Sequence, residues 1–177
     1  MIKHSAKRTT SVPRYVEMQS PEMCRECIFV TDGTNPHLAE ETLLTLEKHR
    51  ENFQVRQTVI LQNTEIAPFL KELLNDGKMG VRVVALGTET FMWEVQRCAL
   101  GSGLGENEIQ LIGPPAKQQR TIYCAHCSSV QVNSGEPETR CEACGVQLEV
   151  RAHFSRRLGA YLGVCLDADQ PFGASSK

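Results

Sequence analysis

Two motifs, Cys124-Ala125-His126-Cys127 and Cys141-Glu142-Ala143-Cys144, constrain this chain more than any other feature. Each Cys-x-x-Cys presents two sulfurs from one tight loop, and two such loops supply the four corners of a tetrahedral zinc site. Thirteen residues separate Cys127 from Cys141. That length accommodates a strand near 130–132, a turn over 133–137 and a return at 139–140, so a hairpin bringing the two loops together is predicted. Gly145 follows the second pair, where a left-handed residue lets backbone N–H groups point at sulfur; Ser128 holds the equivalent place after the first. His126 has the chemistry of a ligand, but four sulfurs already close the shell. The expected ligands are therefore Cys124, Cys127, Cys141 and Cys144, around one structural zinc ion.

Residue types alone do not separate zinc from iron in a four-thiolate cage. With Tyr123 just before it, the cage is similar to a rubredoxin site, so redox-active iron stays open as a second reading. The chain has eight cysteines, six of them in three Cys-x-x-Cys pairs. No apolar run is long enough for a secretory signal or a membrane span, so the cytosol is the expected compartment, where thiols stay reduced and favour metal over disulfide. The remaining pair, Cys24 and Cys27, reads as two partly buried thiols at a strand entrance, with a redox pair or second half-site as the alternative. Cys98 and Cys165 fall at core spacing.

Before the cysteine motifs, β-rich runs alternate with amphipathic stretches as βαβαβαβ. Strands are expected at 28–30, 58–61, 81–86 and 109–112. Asn35 followed by Pro36 caps the first helix, with Leu38, Ala39, Thr42, Leu43 and Leu46 toward the sheet. Thr64 caps a second helix that buries Ile66, Phe69, Leu70, Leu73 and Leu74 and stops at 75–77. Thr88 caps a third, with Phe91, Met92, Val95 and Ala99 inward and glycines 101, 103 and 105 at its end. Near-continuous apolar strands suit a sheet covered on both faces, so the fold class is α/β: a small, open, mostly parallel sheet followed by a four-cysteine zinc ribbon. The expected organisation is a flexible, locally basic arm over 1–22 carrying Lys3, Lys7, Arg8 and Arg14, a Rossmann-like sheet domain over 23–115, the ribbon and C-terminal segment over 116–168, and a disordered tail over 169–177. Pro114 and Pro115 mark the boundary.

Open α/β sheets bind ligands beyond the C-terminal ends of their strands, here 31–35, 62–64 and 87–90. No dinucleotide fingerprint opens the first helix, and glycines 101–105 close a helix where the fingerprint would follow a strand. The histidines are scattered, and no nucleophile elbow or haem-attachment motif exists, so no catalytic residue is assigned and any cofactor-binding residues of the sheet are left unknown. A net charge of -2, with Glu136, Glu138 and Glu142 between and beside the metal loops, argues against nucleic acid as a partner.

Residues 87–112, with Phe91-Met92 near the helix start, are similar to the nicotinamide-binding half of ferredoxin reductases. Thr31-Asp32-Gly33-Thr34-Asn35-Pro36 resembles that family's Gly-rich turn in altered form: Asp32 puts a carboxylate where pyrophosphate needs N–H donors. This departure makes a relic scaffold the expectation and a retained nicotinamide site the alternative. After the metal loops, 150–164, if helical, aligns Phe154, Leu158, Tyr161, Leu162 and Cys165, with Gly159 and Gly163 four apart for close backbone approach. Arg156 and Arg157 face an acidic partner or water.

The four cysteines together with His153-Phe154-Ser155-Arg156-Arg157-Leu158-Gly159-Ala160-Tyr161-Leu162-Gly163-Val164 resemble the C-terminal domain of the DmmA-like family, a subunit of bacterial dimethylamine monooxygenase. The match is close over 121–168 and looser over the sheet. The resemblance implies a cytoplasmic, bacterial, multi-subunit system that demethylates dimethylamine to methylamine with O2 and electrons from NAD(P)H. It implies haem, flavin and iron–sulfur groups on partner subunits, haem-bearing and reductase-like, with this chain as a zinc-stabilised structural or coupling subunit. An electron-transfer protein, carrying iron in the ribbon or nicotinamide at the sheet, is the alternative function.

Overall fold

A computed structural model describes residues 11–13, 15–19, 24–49, 51, 53–59, 66–74, 79–113 and 119–169. These form two compact units, one from Tyr15 to Gln119 and one from Arg120 onward together with the residues before Tyr15. The basic residues Lys3, Lys7, Arg8 and Arg14, the expected caps at Thr64 and 75–77, the loop 62–64, Pro114, Pro115 and the tail beyond Asp169 lie outside the described residues.

The first unit is a three-layer α/β structure with strands β1 (Glu26–Thr31), β2 (Gln54–Val59), β3 (Val81–Leu86) and β4 (Ile109–Ile112) and helices α1 (Pro36–Glu47), α2 (Ile66–Leu74) and α3 (Glu89–Gly101). The strand order is β2-β1-β3-β4 and every pair is parallel. Central β1 buries Cys27, Ile28, Phe29 and Val30 completely. Complete burial on both faces is what a continuous apolar run requires, and each such large side chain contributes roughly 1.5–3 kcal/mol.

The helix caps form as their residue types dictate. The Asn35 side-chain carbonyl accepts from the Leu38 N–H at 3.3 Å, with Pro36 opening α1. The Thr88 hydroxyl caps α3 through the Phe91 N–H. Ile66, Leu70 and Leu74 are buried on α2, and Phe91, Met92, Trp93, Val95 and Ala99 on α3.

Strand β2 begins at Gln54, four residues before the expected start, and its described part ends at Val59. It is an edge strand with largely polar residues, so its position is set by pairing with β1 and not by apolar content. The register Glu26↔Gln54 to Thr31↔Val59 is reinforced by an Arg56–Glu26 ion pair at 2.5 Å.

Beyond β4, Val16 bridges Ile112 in parallel, with Val16 N–H donating to the Leu111 carbonyl at 3.1 Å. Tyr15 donates its hydroxyl proton to the buried carboxylate of Glu89 and accepts from the Trp93 indole N–H at 3.2 Å.

The second unit is a five-stranded sheet of β5 (Arg120–Cys124), β6 (Val130–Asn133), β7 (Glu138–Arg140), β8 (Gln147–Ser155) and β9 (Ala160–Cys165), ordered β6-β5-β9-β8-β7. Two expectations are corrected here. Strands β6 and β7 stand at opposite ends of that order instead of pairing as a hairpin. The Gln131 side chain links their ends, donating to the Arg140 carbonyl at 3.0 Å and accepting from the Glu142 N–H at 2.9 Å.

The segment 150–164 is not a helix but the antiparallel pair β8–β9, closed by a turn at 156–159. Its two glycines therefore have separate roles. Gly159 turns the chain at φ +60°, and a Cβ at Gly163 would lie 2.8 Å from Ile122 and 3.1 Å from Leu148. Close packing of the ribbon core, rather than helix association, is what excludes a larger side chain there.

Candidate metal centre

The first metal loop grows out of β5, which delivers Cys124 into the core. Ser128 then turns left-handed at φ +62°, and its N–H returns to the Cys124 carbonyl at 2.9 Å. The second grows out of β7 and repeats the construction: Gly145 is at φ +75° and its N–H reaches the Cys141 carbonyl at 2.8 Å. Arg140 braces this loop, its Nε donating to the Gly145 carbonyl at 2.9 Å. Ser128 is the only non-glycine with positive φ among the described residues, so the first loop holds local backbone strain that the second avoids with glycine.

These loops bring the sulfurs of Cys124, Cys127, Cys141 and Cys144 within 4.8 Å of one another. Cys124 Sγ is 3.9 Å from Cys144 Sγ, and Cys127 Sγ is 3.7 Å from Cys141 Sγ. A tetrahedral ion with metal–sulfur bonds of about 2.3 Å separates its ligands by about 3.8 Å, so the arrangement fits one such ion. It does not fit disulfides, whose sulfurs sit about 2.0 Å apart; all eight cysteines are free. His126 is exposed and lies outside the sulfur group.

The electrostatics point the same way. Burial opposes ionisation of Cys141, yet the Ser129 hydroxyl and the N–H groups of Cys144 and Ala143 outweigh it and bring the thiol down to about 6. Cys127 is likewise lowered, chiefly by Ser129 through its hydroxyl and N–H. Cys144 receives a favourable N–H from Val146, but burial and the neighbouring sulfurs push it up to about 12, and burial raises Cys124. The thiolate form is thus favoured at two sulfurs and disfavoured at two, and a cation at the centre would favour it at all four.

The cage is built into the ribbon core. Cys124 and Cys141 are buried with Ile122, Val146 and Leu148, while Cys127 is exposed. Sequence reasoning did not find Ser129. Its hydroxyl lies 3.0 Å from Cys127 Sγ and 3.3 Å from Cys141 Sγ, bridging the exposed corner to a buried one.

The other cysteines are placed differently. Cys24 and Cys27 are buried in the sheet core, and the Cys24 thiol donates to the Glu26 carbonyl at 3.0 Å. Burial raises both thiols, Cys27 to about 12, so neither supplies a ready thiolate. Cys98 and Cys165 are half-buried.

At the strand ends of the sheet, between β1 and β3, Asp32 fills the crevice. Its buried carboxylate accepts from the Thr34 N–H at 2.9 Å and hydroxyl at 2.6 Å, and from the Thr88 N–H at 2.8 Å and hydroxyl at 3.0 Å. A Cβ on Gly87 would lie 2.6 Å from the Asp32 carboxyl carbon. Donors of the kind that would cradle a phosphate are thus consumed by the chain's own anion. The glycine run 101–105 ends α3, as expected: the Ser102 N–H caps the Cys98 and Ala99 carbonyls and Gly103 takes φ +96°.

The family described as dimethylamine monooxygenase subunit DmmA-like, C-terminal domain, matches residues 121–164, the metal loops and the β8–β9 pair. Across its length the chain is 36% identical over 165 residues to the heme-dependent oxidative N-demethylase delta subunit of Ectopseudomonas mendocina (strain ymp), covering 92% of this chain and 91% of the relative. No solved structure matches the chain. A two-unit chain that aligns nearly end to end with that subunit, and whose ribbon carries the matching domain, belongs to the DmmA-like family of oxidative N-demethylase delta subunits.

Proposed function

We propose that this chain is the zinc-stabilised accessory subunit of a multi-subunit dimethylamine monooxygenase, which oxidatively demethylates dimethylamine to methylamine with O2 and NAD(P)H in the bacterial cytoplasm. The observation that carries this reading is the alignment of 92% of the chain with a delta subunit of a heme-dependent oxidative N-demethylase. The sulfur geometry supports the structural part. Four thiolates leave no open coordination position, which is the pattern of a structural zinc site. A metal at Cys124, Cys127, Cys141 and Cys144 would tie β5 to β7 and neutralise the sulfur charge inside the ribbon core. Haem, flavin and iron–sulfur groups then belong to partner subunits, and this chain contributes a rigid docking module. No described helix is long and apolar enough to cross a membrane.

The rival reading, electron transfer, divides into two. Iron in the ribbon is separated from zinc by colour: thiolate-bound ferric iron absorbs visible light and zinc does not. Nicotinamide at the sheet is disfavoured by Asp32, which already holds the donors of Thr34 and Thr88.

The test is to isolate the complex from its host with metal and haem counted, beside Cys141→Ser. The expected result is one zinc per chain, haem in the complex, and loss of both zinc and complex membership in the variant. Full assembly of the variant with unchanged zinc would refute the reading.

A further inference from the structure

We propose that the tip of the β8–β9 hairpin is the surface through which this chain docks on an acidic face of another protein subunit. The inference rests on the accessory-subunit reading and assigns it a site. Residues 150–166 contain Arg151, His153, Arg156 and Arg157 and no aspartate or glutamate, in a chain whose net charge is -2. All four of these side chains are exposed. The hairpin is thus a cationic stretch within a chain that is acidic overall.

The hairpin presents these groups by construction. Between the pairs Val150↔Gly163 and Phe154↔Tyr161, β8 places residues 151–153 opposite Leu162 alone. Such a bulge pushes Arg151, Ala152 and His153 out of the ladder, all exposed. At the turn, the Leu158 N–H returns to the Ser155 carbonyl at 3.2 Å, so Arg156 and Arg157 occupy its two central positions. Pairing with β7 covers only residues 147–149 of β8, which leaves the tip projecting past that edge.

The base of the tip is packed. Buried Phe154 and Tyr161 pack edge to face with ring centroids 4.9 Å apart, and the Arg120 guanidinium lies 5.1 Å from the Tyr161 ring centre, adding a further cation to the base of the patch. Ser11 ties down the strand by accepting from the Phe154 N–H at 2.8 Å. A hairpin anchored at its base needs little backbone ordering on binding, and arginine is the residue best matched to bidentate carboxylate contacts. Leu158, 39% exposed beside the two arginines, supplies the apolar contact that such interfaces place among charged groups. Arg151 also pairs with Glu149 at 3.0 Å, which holds its guanidinium along β8.

Nucleic acid fits less well. A phosphodiester track needs cations along a path, whereas this patch is one hairpin wide and the same ribbon exposes Glu136, Glu138 and Glu142.

The experiment uses the full-length tagged chain expressed in its own host and reads haem retained per chain as salt is raised. Wild type is compared with a double charge reversal (Arg156→Glu, Arg157→Glu) and a charge-keeping control (Arg156→Lys, Arg157→Lys), with zinc content and circular dichroism as fold checks. The expected result is haem retention in wild type that weakens with salt, a loss of at least about tenfold on charge reversal, a loss of about threefold or less in the lysine control, and unchanged zinc in all three. Charge-reversed chain that retains haem like wild type overturns the docking site and leaves the accessory-subunit reading standing. Wild type that retains no haem protein overturns both. Wild type that binds duplex DNA, RNA or anionic vesicles and loses that binding on charge reversal also overturns the proposal.

Discussion

Asp32 offers a perturbation whose size follows from its surroundings. One carboxylate oxygen holds the N–H and hydroxyl of Thr34 and the other holds those of Thr88, so the side chain ties the loop after β1 to the N-cap of α3. Asp32→Asn keeps one oxygen but turns an amide NH2 toward the other pair, leaving a buried N–H facing a donor. Hydrogen bonds to a charged group contribute about 1.5–3 kcal/mol each, and a stranded buried donor costs about as much, so a loss of roughly 2–4 kcal/mol is expected. In a unit of this size that lowers the melting temperature by roughly 10–25 °C. Gly87 sharpens the test, because Gly87→Ala would place a methyl 2.6 Å from the Asp32 carboxyl carbon. The alanine should therefore destabilise wild type strongly and Asp32→Gly much less, giving a coupling energy above about 1 kcal/mol in a double-mutant cycle read by urea denaturation. Additive effects, or an Asp32→Asn chain as stable as wild type, would refute the carboxylate clamp.

Ser129→Ala should leave the fold intact but remove the hydroxyl beside Cys127 and Cys141. Metal affinity in a chelator competition should fall about 10- to 100-fold, and Ser129→Thr should recover most of it. The buried Cys27 thiol, raised from 9.0 to about 12 by burial and then by Cys24, predicts an alkaline instability. Below pH 9 the thiol is protonated in both states and its contribution is intact; as pH rises toward about 12 only the unfolded chain ionises, and up to roughly 4 kcal/mol is lost. Denaturation midpoints of wild type and Cys27→Ala measured from neutral to alkaline pH should converge, and parallel curves would contradict the assignment.

Local signals made most of the sheet unit legible. Asn35-Pro36 and Thr88 mark helix starts by side-chain chemistry acting over three residues, and the apolar runs of β1, β3 and β4 need burial on both faces. Strand β2 was displaced because an edge strand owes its place to its neighbour, a fact its polar residues do not encode. The hairpin of β8 and β9 was hidden more thoroughly. Phe154, Leu158 and Tyr161 recur at helical spacing, but the bulge at 151–153 breaks the period-two alternation that would have announced a strand. Gly159 and Gly163 carried the missing information as a turn and a close contact.

The four cysteines were legible because ligand geometry fixes their spacing, whereas Ser129 was not, since a serine beside a metal loop looks like any other serine until sulfur is 3.0 Å away. The Tyr15–Glu89–Trp93 network joins residues more than seventy positions apart and has no local signature.

Whether a metal holds the ribbon together is decided by the state of its sulfurs in the purified chain. Metal analysis combined with native alkylation and peptide mapping measures it directly. One zinc per chain is expected, with Cys124, Cys127, Cys141 and Cys144 protected together, the exposed Cys127 included, until a chelator releases metal and all four become reactive as the ribbon opens. A metal-free chain that keeps its fold while those four sulfurs alkylate freely would contradict the metal-held ribbon.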